Sequence, residues 1–421
     1  MKVLFLNPPI NDLVDTHFRM NPSTAPAQLS AVLRQAGHKA YTVDMEALQL
    51  QPDSLGGIGR PDVIGMSITC LNIEGARRQV AACRRVWPDA YYVAGGPHAT
   101  GCPDEVRQAG FDCVVRYEAD WHICQIVEEQ PKGIFDCCDY EGHDLDELPL
   151  PDWGHFIPEP RYYLGNEPRE EHPEGVSLWN RGCPHQCLFC SHPVYQGMAP
   201  RHMSPARVRA ELEYLKADFG VRHVFVYSDE LIGMTPHQNE WLVSVCQEIQ
   251  DLGLTYKTQG RCSKRIEPET FEAMKAAGFK WVFWGIESLS RQVLDAIRKG
   301  TTPDDIWYTL EASRRAGLNN LGFLMVGCLE ETEDAFQETY RGVEEMLKRD
   351  LLQWMQVTVM RADPGSQLYD MAKLNGWLTG IQQSKLQHYG EQLNLPWASR
   401  KDILRRQKAL LRLWFDRRGN V

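Results

Sequence analysis

The chain has 421 residues, 43% of them hydrophobic and 24% charged, enough to bury a substantial core in two or three domains. Its 45 Lys and Arg against 56 Asp and Glu leave a formal charge of −11, which disfavours nucleic acid as a partner because phosphate affinity needs a basic surface. No apolar run reaches the ~18 residues of a membrane span, and Met1–Leu6 breaks at Asn7-Pro8-Pro9, unlike a signal peptide. The expected setting is cytoplasmic, away from membranes, with the 13 cysteines reduced or bound to metal rather than paired.

Residues 1–144 alternate strand and helix patterns. Short apolar strands are expected at Val3–Leu6, Lys39–Asp44, Val63–Thr69, Tyr91–Ala94 and Cys113–Arg116, with amphipathic helices at Ala25–Gln35 and Asn72–Val86. Such alternation predicts a doubly wound parallel sheet, whose ligands bind outside the carboxyl ends of the strands. The loops to watch are therefore Asn7-Pro8-Pro9, Thr69-Cys70, Gly95-Gly96-Pro97-His98 and Tyr117-Glu118. Residues 145–173, with prolines at 149, 151, 158, 160, 168 and 173, read as a linker.

Over residues 174–366 the alternation resumes. Strands are expected near Val176–Asn180, Val224–Tyr227, Leu254–Gln259, Trp281–Gly285, Leu321–Val326 and Gln356–Met360. Ser204-Pro205, Thr235-Pro236 and Thr302-Pro303 start helices, because Pro suits the first helical position and the hydroxyl can cap; Glu267-Pro268, Ser290 and Glu331 mark three more. Six such units in a row predict a partial (β/α)6 barrel. Residues 367–421 form a short helical end. Within it, Arg400–Arg418 carries an apolar stripe of Ile403, Leu410 and Trp414, expected to pack on its own domain with the basic face in water.

The sharpest local signal is Arg181-Gly182-Cys183-Pro184-His185-Gln186-Cys187-Leu188-Phe189-Cys190, on the loop after the first barrel strand. Three thiolates can hold three irons of a [4Fe–4S] cube and leave the fourth open. The rival is a Cys3His zinc site completed by His185 or His192, but zinc hooks usually come as two C-x-x-C pairs.

Cys-x3-Cys-x2-Cys with an aromatic residue before the last Cys resembles the radical S-adenosylmethionine (SAM) superfamily. The resemblance extends in order along the barrel, from about 175 to 370. Val226-Tyr227-Ser228-Asp229-Glu230 takes the place of the motif that meets the methionyl amino group. Gln259-Gly260-Arg261 stands where a basic residue meets the SAM carboxylate, and Gly285-Ile286-Glu287-Ser288 is similar to the "GIES" segment. Cys328-Leu329-Glu330 departs from the usual Pro-Gly turn, whereas Asp363-Pro364-Gly365-Ser366 resembles the sixth-strand motif. The resemblance implies that Cys183, Cys187 and Cys190 hold the cluster and that Ser228, Asp229, Glu230, Arg261 and Glu287 bind SAM. It further implies reductive cleavage of SAM to a 5′-deoxyadenosyl radical, with the electron drawn from an external donor such as flavodoxin or ferredoxin.

Asn7-Pro8-Pro9, Asp62–Ser67 and Gly95-Gly96-Pro97-His98 resemble the cobalamin-binding domain that precedes many radical SAM barrels. The implied cobalamin contacts are Asn7, Pro8, Ser67, Thr69, Gly95, Gly96, Pro97, His98 and Glu118. Arg116-Tyr117-Glu118-Ala119-Asp120 departs from the family's "RGEGE": both glycines are replaced, and Tyr117 is expected to narrow the corrinoid pocket. Asp15–Met20 echoes D-x-H-x-x-G without its glycine, so His17 reads as a loop residue and no histidine is expected below cobalt. The leading expectation is a cobalamin-dependent methyltransferase acting on an unactivated centre of a small metabolite. A radical SAM dehydratase, epimerase or rearrangement enzyme, perhaps on an aminoglycoside-type sugar and with an empty cobalamin-like domain, stays open beside it. So does a sensing module built on a structural metal site.

Overall fold

Strands and helices alternate as expected in the computed structural model, which describes residues 1–9, 23–48, 50, 54–55, 57, 59–137, 143–154, 173–233, 235–379 and 393–418. The Asp15–Met20 segment and prolines 158, 160 and 168 lie outside those residues. Strands β1 (Lys2–Asn7), β2 (Lys39–Asp44), β3 (Val63–Ser67), β4 (Tyr91–Gly95), β5 (Cys113–Tyr117) and β6 (Gly133–Cys137) form one parallel sheet in the order β2-β1-β3-β4-β5-β6. Two apolar clusters cover its two faces, one around Leu4, Ile64 and Ala94 and the other around Val3, Val63 and Val93. This double coverage is why β1 and β3 read as unbroken apolar runs instead of alternating ones. β6 was not expected from the sequence. It is an edge strand whose side chains alternate between half-buried and exposed up to the buried Cys137, with Ile134 at 44% exposure, so it lacks the run that marks the other strands.

The second sheet is also parallel and six-stranded. Its strands are β7 (Glu174–Ser177), β10 (His223–Val226), β11 (Thr255–Arg261), β12 (Phe279–Glu287), β13 (Asn319–Val326) and β14 (Trp354–Val359), paired in chain order. Between β7 and β10 a small antiparallel pair, β8 (Asn180–Arg181) and β9 (Arg201–His202), closes the base of the cysteine loop. β7 and β14 are the two edges and do not pair with each other, so the barrel is partial. Helices cover the outer face around Val224, Val282 and Val357, while Phe225, Phe283 and Leu321 pack on the inner face.

The helix starts follow the residues that predicted them. Ser204 Oγ accepts from Arg207 N, Thr235 Oγ1 from Gln238 N, and Thr302 forms a reciprocal cap with Asp305. The helix Glu333–Lys348 is capped by Thr332. The helix Arg400–Arg418 buries Ile403, Leu410 and Trp414, sets Trp414 at a tilt against Trp354 and leaves Phe415 in water. Its Arg406 is also buried, donating to the backbone oxygen and carboxylate of Glu331.

The loops at the carboxyl ends of the two sheets meet. Arg181, after β7, places Nη1 2.8 Å from Asp120 Oδ2 and 3.0 Å from Glu118 Oε2, both carboxylates lying beyond β5. Arg201 from β9 holds the same Glu118. Farther round, Cys70 after β3 faces Asp363 after β14, and Gln28 Nε2 donates to Pro149 O. Burial disfavours the Arg181 charge, but Asp120 and then Glu118 outweigh it and favour the charged guanidinium. Removing one partner of such a group strands the rest without compensation. Arg181→Met is expected to cost about 3–5 kcal/mol, read from urea unfolding. Arg181→Met/Asp120→Leu should recover part of that loss.

Candidate functional site

The cysteine loop leaves β8 through Gly182, whose φ of +89° suits glycine and whose added Cβ would stand 2.5 Å from Ala199 O. Backbone bonds then shape the loop: Cys183 N donates to Gly197 O at 3.1 Å, Cys190 N to Cys187 O at 3.0 Å, and Leu188 N to Ile297 O at 2.9 Å. Cys183 and Cys187 are buried and Cys190 is partly exposed. Burial pushes the thiols of Cys183 and Cys190 up to about 12, so they stay protonated until a metal binds them.

Two buried cations stand beside the loop. Arg261, at the end of β11, donates from Nη2 to Cys187 Sγ at 3.1 Å, and Glu230 accepts from its backbone N at 2.9 Å and from Nε at 3.4 Å. Lys299 is buried nearby with Nζ 2.9 Å from Glu287 Oε1. Burial, followed by Arg261 and Lys299, holds the His185 imidazole down at about 4, hence neutral. His192 is committed elsewhere: its Nδ1 lies 2.7 Å from Asp229 Oδ1, and Gly182 N donates to Asp229 Oδ2 at 2.7 Å. Among the described residues no three His, Cys, Asp or Glu side chains gather as a single metal ion would need. Three thiols with buried cations behind them suit an anionic cluster whose ligands are shared over three irons.

A cavity of about 510 Å³ lies where the two sheets meet. From the first sheet it is lined by Asn7, Pro8, Ser67, Thr69, Gly95, Gly96, Pro97 and Glu118, and it runs down beside Phe5, Gly65 and Val115. Gly96 has φ +98°, and a Cβ there would press to 2.8 Å of Ile68 N, so the backbone itself forms the wall. These features fit the planar, amide-fringed bulk of a corrinoid. His98 is absent from that wall: it is buried, with Nε2 3.2 Å from Glu105 Oε2. Glu118 reaches the cavity but is held by Arg181 and Arg201. Tyr117 stays in the wall with φ +69°, a backbone conformation that suits the glycine it replaces.

From the barrel side the lining includes Arg181, His192, Tyr195, Gln196, Phe225, Tyr227 and Asp229. Of the five residues assigned to SAM from sequence, Asp229 reaches the cavity. Glu230 and Arg261 come together behind Cys187, Glu287 meets Lys299, and Ser228 Oγ accepts from Trp179 N at 3.2 Å. Sequence reasoning missed Arg181, Lys299, Tyr195 and Glu211. Arg181 and Tyr195 flank the cysteine motif and were within its reach, whereas Lys299 and Glu211 sit in helical or loop stretches with no signal.

Glu211 lies on the helix Pro205–Phe219 with 1% exposure. One carboxyl oxygen accepts from Ser177 Oγ at 2.9 Å, and the other has no hydrogen-bond partner, at the cavity edge. Burial raises this carboxyl from the ordinary 4.5 to about 7, against the smaller pull of Ser177, Arg207 and Arg181. The folded state therefore holds the proton more tightly, and that stabilisation is complete below pH 4.5 and lost as pH rises through 7. Glu211→Gln should remove the loss, gaining on the order of 2–3 kcal/mol over wild type at pH 8 and little at pH 4.5. Urea midpoints at the two pH values check this.

Two family models match the chain, the Radical SAM superfamily over residues 178–343 and the B12 binding domain over residues 22–126. An uncharacterised methyltransferase of Pyrococcus horikoshii is 26% identical over 404 residues, covering 90% of this chain and 84% of that protein. An uncharacterised methyltransferase of Synechocystis sp. is 28% identical over 258 residues, 60% of this chain and 46% of that one, so the match spans about half its length. Among solved structures, the radical SAM methyltransferase TsrM of Kitasatospora setae, with cobalamin and a [4Fe–4S] cluster bound, shares the fold at a TM-score of 0.69 and 16% identity, over 89% of this chain and 75% of that one. A radical SAM domain implies SAM and a [4Fe–4S] cluster, and a B12-binding domain implies cobalamin. The chain is an enzyme that carries a Radical SAM domain at residues 178–343 behind a B12-binding domain at residues 22–126.

Proposed function

We propose that this enzyme methylates an unactivated centre of a small metabolite, using SAM and cobalamin together. The observation that carries the reading is the single cavity lined by both halves, with Gly95 and Gly96 on one wall and Asp229, beside the cysteine loop, on the other. A cofactor on each wall would face one shared space. The methyltransferase names of the Pyrococcus and Synechocystis relatives support the same reading.

In this proposal Cys183, Cys187 and Cys190 hold the cluster, and the wall from Asn7 to Glu118 holds the corrinoid. When bound, the cluster supplies the electron that cleaves SAM, and the corrinoid carries the methyl group. The chain's own residues prepare that chemistry. Asp229 braces the loop by accepting from Gly182 N and anchoring His192, so the thiols are held before any cofactor arrives. Ser228, Glu230 and Glu287 stay buried on the cluster side, held by Trp179, Arg261 and Lys299. Phe225 and Tyr227 give the barrel side of the cavity an apolar wall that excludes water from a reactive radical. A flavodoxin- or ferredoxin-type donor and a cytoplasmic setting complete the proposal.

Protein produced with hydroxocobalamin and reconstituted anaerobically should carry close to one corrinoid and about four irons per chain. Changing all three cysteines to Ala should abolish the iron and SAM cleavage while keeping the corrinoid. Gly95→Trp should do the reverse; a Cβ at Gly95 finds its nearest neighbour at 3.9 Å, so the indole fills the cavity without a backbone clash. Wild-type protein that makes 5′-deoxyadenosine yet returns no corrinoid would sink the methylation reading.

A further inference from the structure

The place of Arg261 at the end of the third barrel strand marks it as a clamp for the SAM carboxylate, but its geometry points elsewhere. Each of its three guanidinium nitrogens already has an acceptor. Nε faces Glu230 Oε2 at 3.4 Å, Nη1 donates to Lys299 O with Thr301 Oγ1 at 3.4 Å, and Nη2 donates to Cys187 Sγ at 3.1 Å. The side chain is 5% exposed and absent from the cavity wall. A carboxylate arriving from the cavity would have to displace a carboxylate, a carbonyl or a cysteine sulfur already in place.

An N–H···S bond from a buried cation withdraws charge from the thiolate and opposes the added electron's charge when an attached cluster is reduced. Water cannot screen this effect at a site so thoroughly buried. Glu230 acts in the opposite sense. It accepts from the Arg261 backbone N and from Nε, which orients the guanidinium and offsets part of its charge, and it is itself 6% exposed. Arg261 and Glu230 thus form a graded pair set against one cluster ligand.

We propose that Arg261 tunes the reduction potential of the cluster through Cys187, with Glu230 setting the strength of the effect, and that it is not the SAM carboxylate clamp. The inference rests on the reading of the three cysteines as cluster ligands.

The test is an EPR-monitored redox titration of reconstituted wild type, Arg261→Gln and Glu230→Gln, all without SAM. Iron content and far-UV circular dichroism establish that each variant is folded and loaded. At the wild-type midpoint, Arg261→Gln should show a roughly tenfold lower ratio of reduced to oxidised cluster, a shift of about 59 mV for one electron. Glu230→Gln should shift the ratio the other way, because it removes the opposing negative charge. General damage to the site would not produce shifts of opposite sign. SAM affinity of loaded Arg261→Gln should stay within about threefold of wild type, below the tenfold that the loss of one charge-assisted hydrogen bond usually brings. An unchanged ratio in both variants, with SAM affinity lost in Arg261→Gln, would overturn the inference and restore the clamp. Wild-type protein that assembles no [4Fe–4S] cluster would instead overturn the reading beneath it.

Discussion

A buried arginine between two carboxylates holds the two halves of this protein together, and the site depends on it. Arg181 is one residue from the glycine that opens the cysteine loop, and its partners Glu118 and Asp120 belong to the segment after β5. A charge taken out of water is tolerated only where its partners are placed to receive it. Together with Arg201–Glu118, Cys70–Asp363 and Gln28–Pro149, the pairing ties the first sheet's cavity wall to the barrel half that carries the cysteine loop. The cavity lies at that join and takes its lining from both halves.

Around the loop, charge balance explains choices that packing does not. Burial pushes the thiols of Cys183 and Cys190 up to about 12 even with Arg261 and Lys299 beside them, so their ionisation waits on a metal. Arg261 and Lys299 supply the compensating positive charge, and Glu230 and Glu287 keep those cations from being buried unpaired. Asp229 has a separate role, joining a backbone N–H of the loop to His192 on the short helix His192–Gln196. The carboxylates that sequence placed as a uniform SAM-facing set are thus divided by the fold among three different partners.

Where the sequence was legible, a local physical rule made it so. Ser204, Thr235 and Thr302 announced their helices because a cap needs only a hydroxyl and the next three backbone amides. The covered strands were visible as apolar runs, whereas β6 was not, because an edge strand with one wet face carries no such run. His98 stood in a binding motif yet turns to Glu105, since the motif constrains the glycine backbone more than the side chain that follows. Tyr117 was expected to narrow the pocket; it lines the cavity while keeping the positive φ of the glycine it replaces.

By itself, the sequence determined the alternating architecture, the cysteine loop and the order of the strand-end motifs, because periodicity, capping and metal-ligand spacing act over a few residues. Only the tertiary structure decided what each charged side chain does. Arg181 meets Glu118 across 63 residues of chain, Arg261 meets Cys187 across 74, and Arg406 meets Glu331 across 75. Electrostatic partners are selected by burial and distance in three dimensions, and neither quantity is written in the spacing of residues along the chain.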